Sequence, residues 1–283
     1  MNPEPRPDFS LLIIGDEILS GKRADKHLTK CIELLGERGL PLSHAEYVGD
    51  SPAQITATLQ RAFASGGVVF SCGGIGATPD DHTRQCAANA LGVDLALHPQ
   101  AAQLIHARME AMAREQGTPY DPDRPENLHR LNMGVFPVGC SIIPNPYNQI
   151  PGFFCASPGQ PQGAAEPRGV YFVPGFPVMA WPMMAWVLDT HYPHLFHVAV
   201  QVEKSVIIYG AMEGMLTPLM QAIEREHAGI KVFSLPSVDH PQYGRHVELG
   251  VKGAREAVEP AYQALRAGLV PFNPELGPEL VRP

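Results

Sequence analysis

No apolar run in this chain approaches the ~18–20 residues needed to cross a bilayer, so a membrane protein is not expected. Cysteine is scarce: Cys31, Cys72, Cys86, Cys140 and Cys155 are the only ones in 283 residues, widely spaced and without a C-x-x-C pair. An odd, scattered set does not read as a disulfide framework. Most of these thiols lie in apolar stretches and read as small core residues of a reducing compartment. Positive charge is short as well, with 21 Lys and Arg against 29 Asp and Glu and a formal net charge of −8. With no basic stripe, a nucleic-acid surface is not expected. No signal peptide is expected ahead of Phe9, no repeat falls in the solenoid range, and the expected setting is the cytoplasm.

What is present describes a globular protein: 45% hydrophobic and 18% charged residues, enough for a sizeable core. The 29 prolines and 27 glycines gather at turns, at both termini and between residues 137 and 182. That middle stretch is expected to be loop-rich and rigid.

The chain is organised around Ser71-Cys72-Gly73-Gly74-Ile75-Gly76-Ala77-Thr78-Pro79-Asp80-Asp81-His82-Thr83. The β-prone Gly67–Phe70 precedes it, and Arg84 to Gly92 follows with helical spacing. A glycine turn between strand and helix lets a ligand approach backbone N–H groups closely, and a helix start favours an anion. Asp80 and Asp81 would repel a phosphate unless a divalent cation lies between, an environment that suits Mg²⁺. A plain structural account exists too, with Thr78 as N-cap, Pro79 as first helical residue and Asp81 in the first turn.

In order, residues 1–8 are a Pro-rich arm, and Phe9–Ile14 is a buried strand running into the acidic turn Gly15–Gly21. A helix is expected from about Ala24 to Arg38, then a strand from Leu40 to Val48 ending at Gly49-Asp50, and a helix over Pro52–Ala64. Three β-then-α units in succession predict a mostly parallel sheet with helices on both faces, a three-layer α/β/α class. Ligands of such sheets bind at the carboxyl ends of the strands. The three acidic turns (Asp16/Glu17, Asp50, Asp80/Asp81) all fall there. Helices are expected at 98–117, 125–133 and 179–189, with short strands across 135–173. Beyond Tyr192-Pro193 a β-α-β-β-α order predicts a small α+β domain. The expected division is 1–8 arm, 9–195 α/β domain, 196–270 α+β domain and 271–283 tail.

The turn motifs, together with Glu126-Asn127, Asn145-Pro146, Pro151-Gly152-Phe153 and Pro174-Gly175-Phe176-Pro177, form an ordered set. It resembles the molybdopterin-binding domain shared by molybdenum-cofactor biosynthesis proteins and competence/damage-inducible protein A, and looks closest to the latter branch. The resemblance covers roughly residues 9–192, and 198–268 is similar in pattern to the small domain that follows in that branch. It implies a three-layer fold and a pocket for a phosphorylated nucleotide or pterin ligand, with molybdopterin itself as one candidate. In the adenylyltransferases of this superfamily two aspartates handle Mg²⁺ and phosphoryl chemistry, and Asp50 and Asp81 match them by motif. The damage-inducible branch is associated with metal-dependent cleavage of nucleotide diphosphates such as ADP-ribose, and related domains with FAD hydrolysis. Relatives are generally oligomeric, so a homo-oligomer is expected. No deamidase-type domain is expected from the residues in hand.

The expected catalytic residues are therefore Asp50, Asp81 and Glu17, with Asp50, Asp80 and Asp81 around Mg²⁺ or another divalent cation. Expected ligand or phosphate contacts are Gly15, Gly21, Lys26, Gly73, Gly74, Gly76, Thr78, Thr83, Pro174 and Gly175. The chain departs from the branch at Lys26-His27, where Thr-Asn is common, and at Val178-Met179-Ala180, where an acidic residue commonly follows the Pro-Gly-x-Pro corner. The readings that remain open are a metal-dependent nucleotide pyrophosphatase, a molybdopterin-binding or adenylylating protein, and a non-catalytic binding module.

Overall fold

Strand β1 (Phe9–Ile14) is buried on both faces and pairs in parallel with β2 (Leu42–Val48) on one side and β3 (Val68–Cys72) on the other. This computed structural model describes residues 6–161, 163–198 and 201–282. Residues 1–5 of the expected arm lie outside that range. The rest of the arm is tied down: the Asp8 carbonyl accepts from Val68 N–H at 2.8 Å, and the Asp8 carboxylate accepts from the Ser43 hydroxyl. The chain forms two compact units, Met1–Phe196 and His197–Pro283.

In the first unit the sheet order is β2-β1-β3-β8-β7-β6, where β6 is Ser141–Ile143, β7 Gly152–Ala156 and β8 Gly169–Val173. β8 joins β3 in parallel, and β7 and β6 add antiparallel edges. The expected mostly parallel sheet is what the chain builds. A separate two-stranded antiparallel sheet pairs β4 (Leu95–Leu97) with β5 (Val135–Pro137).

Because side chains alternate along a strand, each buried strand feeds two cores. Leu11, Ile13, Phe70 and Tyr171 pack with α2 (His27–Gly36) and α7 (Pro177–His191). Leu12, Ile14, Val69 and Phe172 pack with α3 (Pro52–Ala64) and α4 (Thr83–Leu91) on the other face. Helices α5 (Pro99–Glu115) and α6 (Pro125–Leu131) follow α4, and α1 (Asp16–Leu19) is a single turn after β1. Cys31, Cys72, Cys86 and Cys155 are buried core residues and Cys140 is partly buried; all five are free, and burial pushes the Cys31 thiol up to about 12.

Two helix starts differ from expectation. α2 begins at His27 rather than Ala24, because the Asp25 carboxylate accepts the N–H groups of His27 and Leu28 at 2.8 and 3.1 Å and so caps the helix there. α4 begins at Thr83 rather than Pro79, since residues 78–82 form a turn of their own.

The second unit is a sheet of order β10-β11-β9-β12 with α8 (Glu213–Glu226) and α9 (Arg255–Leu269). Its strands are β9 (Gln201–Tyr209), β10 (Lys231–His240), β11 (Gly244–Ala254) and β12 (Glu275–Arg282). Residues 199–200, within the strand expected from Val198, lie outside the described residues. The expected tail 271–283 is corrected: β12 lies antiparallel to β9. Its lack of a clean apolar alternation hid it, since edge strands need bury little. Arg282 anchors it by donating twice to Glu248, a residue only 7% exposed whose carboxylate also accepts from the Ser205 hydroxyl.

Those donors hold the Glu248 carboxyl below its ordinary range, with Arg282 the largest cause. Its stabilisation is therefore present above the unfolded value, near ~4.3, and is lost as pH falls through the depressed folded value. Arg282→Ala leaves a buried carboxylate underpaired and is expected to cost about 2 kcal/mol, discounted because the Arg282 side chain is half exposed. Urea titration should show this loss at pH 7 and a much smaller one at pH 3. Equal stability at pH 7 would show that β12 is not held by this pair.

No helix among the described residues is long and apolar enough to cross a membrane.

Candidate functional site

The parallel strands β1, β2, β3 and β8 end side by side, at Ile14, Val48, Cys72 and Val173. Four loops therefore meet at one edge: Gly15 onward, Gly49-Asp50, Gly73–His82, and Pro174–Phe176.

The glycine turn is shaped by contacts from below. Gly73 takes φ +107° and its N–H donates to Val173 O at 3.1 Å; a Cβ there would lie 2.2 Å from the Ile14 carbonyl oxygen. Gly74 takes φ +68°, and a Cβ would lie 2.1 Å from Thr83 Oγ1. Side chains are thus excluded by both conformation and space. Thr83 is fully buried; its hydroxyl donates to Gly73 O at 3.1 Å and its N–H to Gly74 O at 3.0 Å. Buried Arg84 donates to the Ile75 carbonyl, placing a cation beneath the turn. The Asp81 carboxylate accepts from Gly76 N–H at 2.9 Å, Thr78 N–H at 2.8 Å and the Thr78 hydroxyl at 2.6 Å. Among the described residues the N–H groups of Gly74, Ile75 and Ala77 have no partner. Unpaired donors above a buried guanidinium suit an anion.

The acidic side of the edge is equally organised. Asp16 N–H donates to Asp50 Oδ2 at 2.8 Å and Asp50 N–H to Asp16 Oδ1 at 3.1 Å, a reciprocal clasp between the loops after β1 and β2. Burial raises the Asp50 carboxyl above its ordinary value, and the charges of Asp16, Glu17 and Asp80 push the same way. Exposed Asp80 is held below its ordinary value by its polar neighbours in the turn, Thr78 first and backbone hydrogen bonding next. Glu17 lies 3.7 Å from Arg23.

One cavity of about 410 Å³ occupies this edge. Of the residues expected from sequence, Gly15, Glu17, Asp50, Gly73, Gly74, Gly76, Thr78, Asp80, Asp81, Pro174 and Gly175 all line it. Thr83 does not: it is buried under the turn, and its hydroxyl is taken by Gly73 O. Gly21 does not line it, and Lys26 lines a neighbouring cavity. Arg23, Asn145, Asn148, Phe176 and Met179 also line the main cavity. Sequence reasoning did not place Arg23 there; a cation two residues past Gly21 was the available signal. Met179, where an acidic residue was expected, has its sulfur 3.3 Å from Asn148 Nδ2.

A divalent cation fits this edge in one form only. Among the described residues no three His, Cys, Asp or Glu side chains gather to hold an ion. Asp50, Asp80 and Asp81 thus make no closed cage, and Asp81 is engaged by the turn. Mg²⁺, however, ordinarily uses one or two carboxylates, keeps several waters, and completes its shell with substrate phosphates. Burial foremost, and then the charges of Asp16, Glu17 and Asp80, raise the Asp50 carboxyl, a disposition that a cation would relieve.

The family model described as "Probable molybdopterin binding domain" matches residues 10–197. The chain is 28% identical over 253 residues to a CinA-like protein of Geotalea uraniireducens, covering 88% of this chain and 54% of that one. It is 28% identical over 257 residues to a Thermoplasma acidophilum protein, covering 88% of each. Among solved structures, CinA of Thermoplasma acidophilum, described as of unknown function, superposes with a TM-score of 0.52 at 25% identity. That match covers 65% of this chain and 97% of that one. The chain spans about half the length of several bacterial relatives it matches, 47%, 54% and 40% of three of them.

Proposed function

Since this chain belongs to the molybdopterin-binding domain family, with CinA-like relatives, we propose that its first unit binds a phosphorylated nucleotide at the glycine turn and hydrolyses its diphosphate link with a divalent cation. The observation that carries this reading is the pairing of a phosphate cradle with ionisable carboxylates in one cavity. Gly74, Ile75 and Ala77 N–H groups, backed by Arg84, would take one phosphate. Asp50 and Asp80 would hold the cation, which supplies charge neutralisation between carboxylate and phosphate.

Hydrolysis adds water across the bridging P–O bond. A water oxygen bonds to phosphorus, the bridging oxygen leaves as the second phosphate, and a proton is released. Glu17 lines the same cavity and would orient that water and accept its proton. Positioning and electrostatics account for most of such catalysis, so few residues need act chemically. Purified protein incubated with Mg²⁺ and ADP-ribose, FAD, NAD or ATP should release AMP from at least one diphosphate-linked dinucleotide. Release from none would leave ligand binding without turnover.

The family's description favours one other reading, a pterin phosphate in the same cradle. Mass spectrometry of ligand retained by freshly purified protein separates the two. A homo-oligomer belongs to the same proposal, and light scattering on the intact chain tests it.

A further inference from the structure

The glycine turn is held in two halves by different means. Its first half sits on the core: Ile75 is buried, and Thr83 and Arg84 grip the Gly73, Gly74 and Ile75 carbonyls from beneath. In the second half Thr78, Pro79 and Asp80 are exposed, so packing does not fix them. Hydrogen bonds set that half instead.

Two of those bonds act on a single peptide unit. The Thr78 N–H donates to Asp81 Oδ2 at 2.8 Å, and the Ala77 carbonyl of the same unit accepts from His129 Nε2 at 2.7 Å. A carbonyl only accepts, so Nε2 carries the proton. In a planar trans peptide the N–H and C=O point in opposite directions. Fixing both ends therefore sets the tilt of the plane. The unit just before it carries the Ala77 N–H, one of the unpaired donors of the cradle.

The far end of this clamp is itself seated. His129 lies on α6, which buries none of its own side chains but runs directly into the 3-10 turn Asn132–Gly134. That turn rests on α5: His98 N–H donates to Gly134 O at 2.9 Å, and a Cβ at Gly134 would lie 3.0 Å from Ile105 Cδ1. Ala101, Ile105 and Met109 fix α5 in the core. Met133, beside Gly134, lines the main cavity, whereas His129 does not.

We propose that His129 is a positioning residue for the phosphate cradle. It holds the Ala77–Thr78 peptide against Asp81 and so sets where the cradle's N–H groups point, without touching the ligand. This deepens the phosphate-binding reading of the main cavity and rests on it.

His129→Ala is expected to weaken ADP-ribose binding about fivefold in calorimetry with EDTA present, the worth of one neutral hydrogen bond. His129→Gln, whose amide can donate to the same carbonyl, should restore affinity to within about twofold. Combined with Asp81→Asn, His129→Ala should cost less than the product of the two single losses, because both act on one peptide. In the free protein, hydrogen exchange at the Thr78 N–H followed by NMR should run faster in His129→Ala and slow again in His129→Gln. Unchanged affinity in His129→Ala, no rescue by glutamine, or losses that multiply would each overturn the assignment. If the unaltered protein binds no ADP-ribose, the nucleotide reading of the main cavity falls. Thr78 exchange then decides the clamp alone: acceleration in His129→Ala supports it, and an unchanged rate overturns it.

Discussion

Asp50→Asn is expected to lower metal-dependent turnover by about 10²–10³-fold while making the free protein slightly more stable at neutral pH. The two effects have one source. Burial, and then the nearby charges of Asp16, Glu17 and Asp80, raise the Asp50 carboxyl above its ordinary value. A group whose folded pKa is raised contributes stability below its unfolded value, near ~3.9, and loses it as pH rises through the folded value. At pH 7 the ionised carboxylate therefore opposes folding. Asparagine removes that charge and keeps an oxygen to accept the Asp16 N–H at 2.8 Å. A melting temperature higher by roughly 1–2 °C at pH 7 should shrink toward zero below about pH 4, in the absence of divalent ions. Retained turnover would remove Asp50 from the cation site, and a lower melting temperature at pH 7 would contradict the electrostatic account.

Asp81→Asn should fail in a different way. A residue that only held metal would lose only metal-dependent properties when its charge was removed. Asp81 instead accepts three hydrogen bonds through two oxygens. Asparagine offers one acceptor oxygen, and its NH₂ faces a backbone N–H that it cannot accept from. Either the Gly76 or the Thr78 end of the turn comes loose, at about 1.5–3 kcal/mol for a bond to a charged group. Binding of a phosphorylated nucleotide such as ADP-ribose is expected to weaken at least ~10-fold with EDTA present, and Asp81→Ala should weaken it further. Asp50→Asn should leave metal-free binding nearly unchanged. If Asp81→Asn binds normally without metal, the turn does not depend on it and Asp81 returns to the ligand set.

The contrast between these two aspartates shows where sequence reasoning reached its limit. Both fall in strand-end turns, both are acidic residues next to glycine-rich segments, and motif logic alone assigns both to metal. Spacing could not reveal that the Asp81 side chain folds back five residues onto Gly76, because that depends on φ values available only to glycine at Gly73 and Gly74. Thr83 was misjudged for the same reason. Arg84 and Asp16, which hold the turn and the acidic clasp, carry no signature in the sequence beyond their position next to it. The tail was missed because an edge strand closed by a salt bridge leaves little apolar pattern.

What the sequence determined by itself was the fold class and the edge of the sheet at which the candidate site is sought. Alternating apolar strands and amphipathic helices admit few topologies, and parallel strands ending together must bring their following loops to one edge. The tertiary structure alone decided the division of labour at that edge. Asp81, Thr83 and Arg84 are bound inward to hold the turn, while Asp50 and Asp80 line the cavity, where the cation we propose would meet them. Lys26 and His27 line a neighbouring cavity. The reason is that a hydrogen bond or a desolvation cost depends on which groups converge in space, and convergence across loops from four strands is not encoded in the spacing of any one of them.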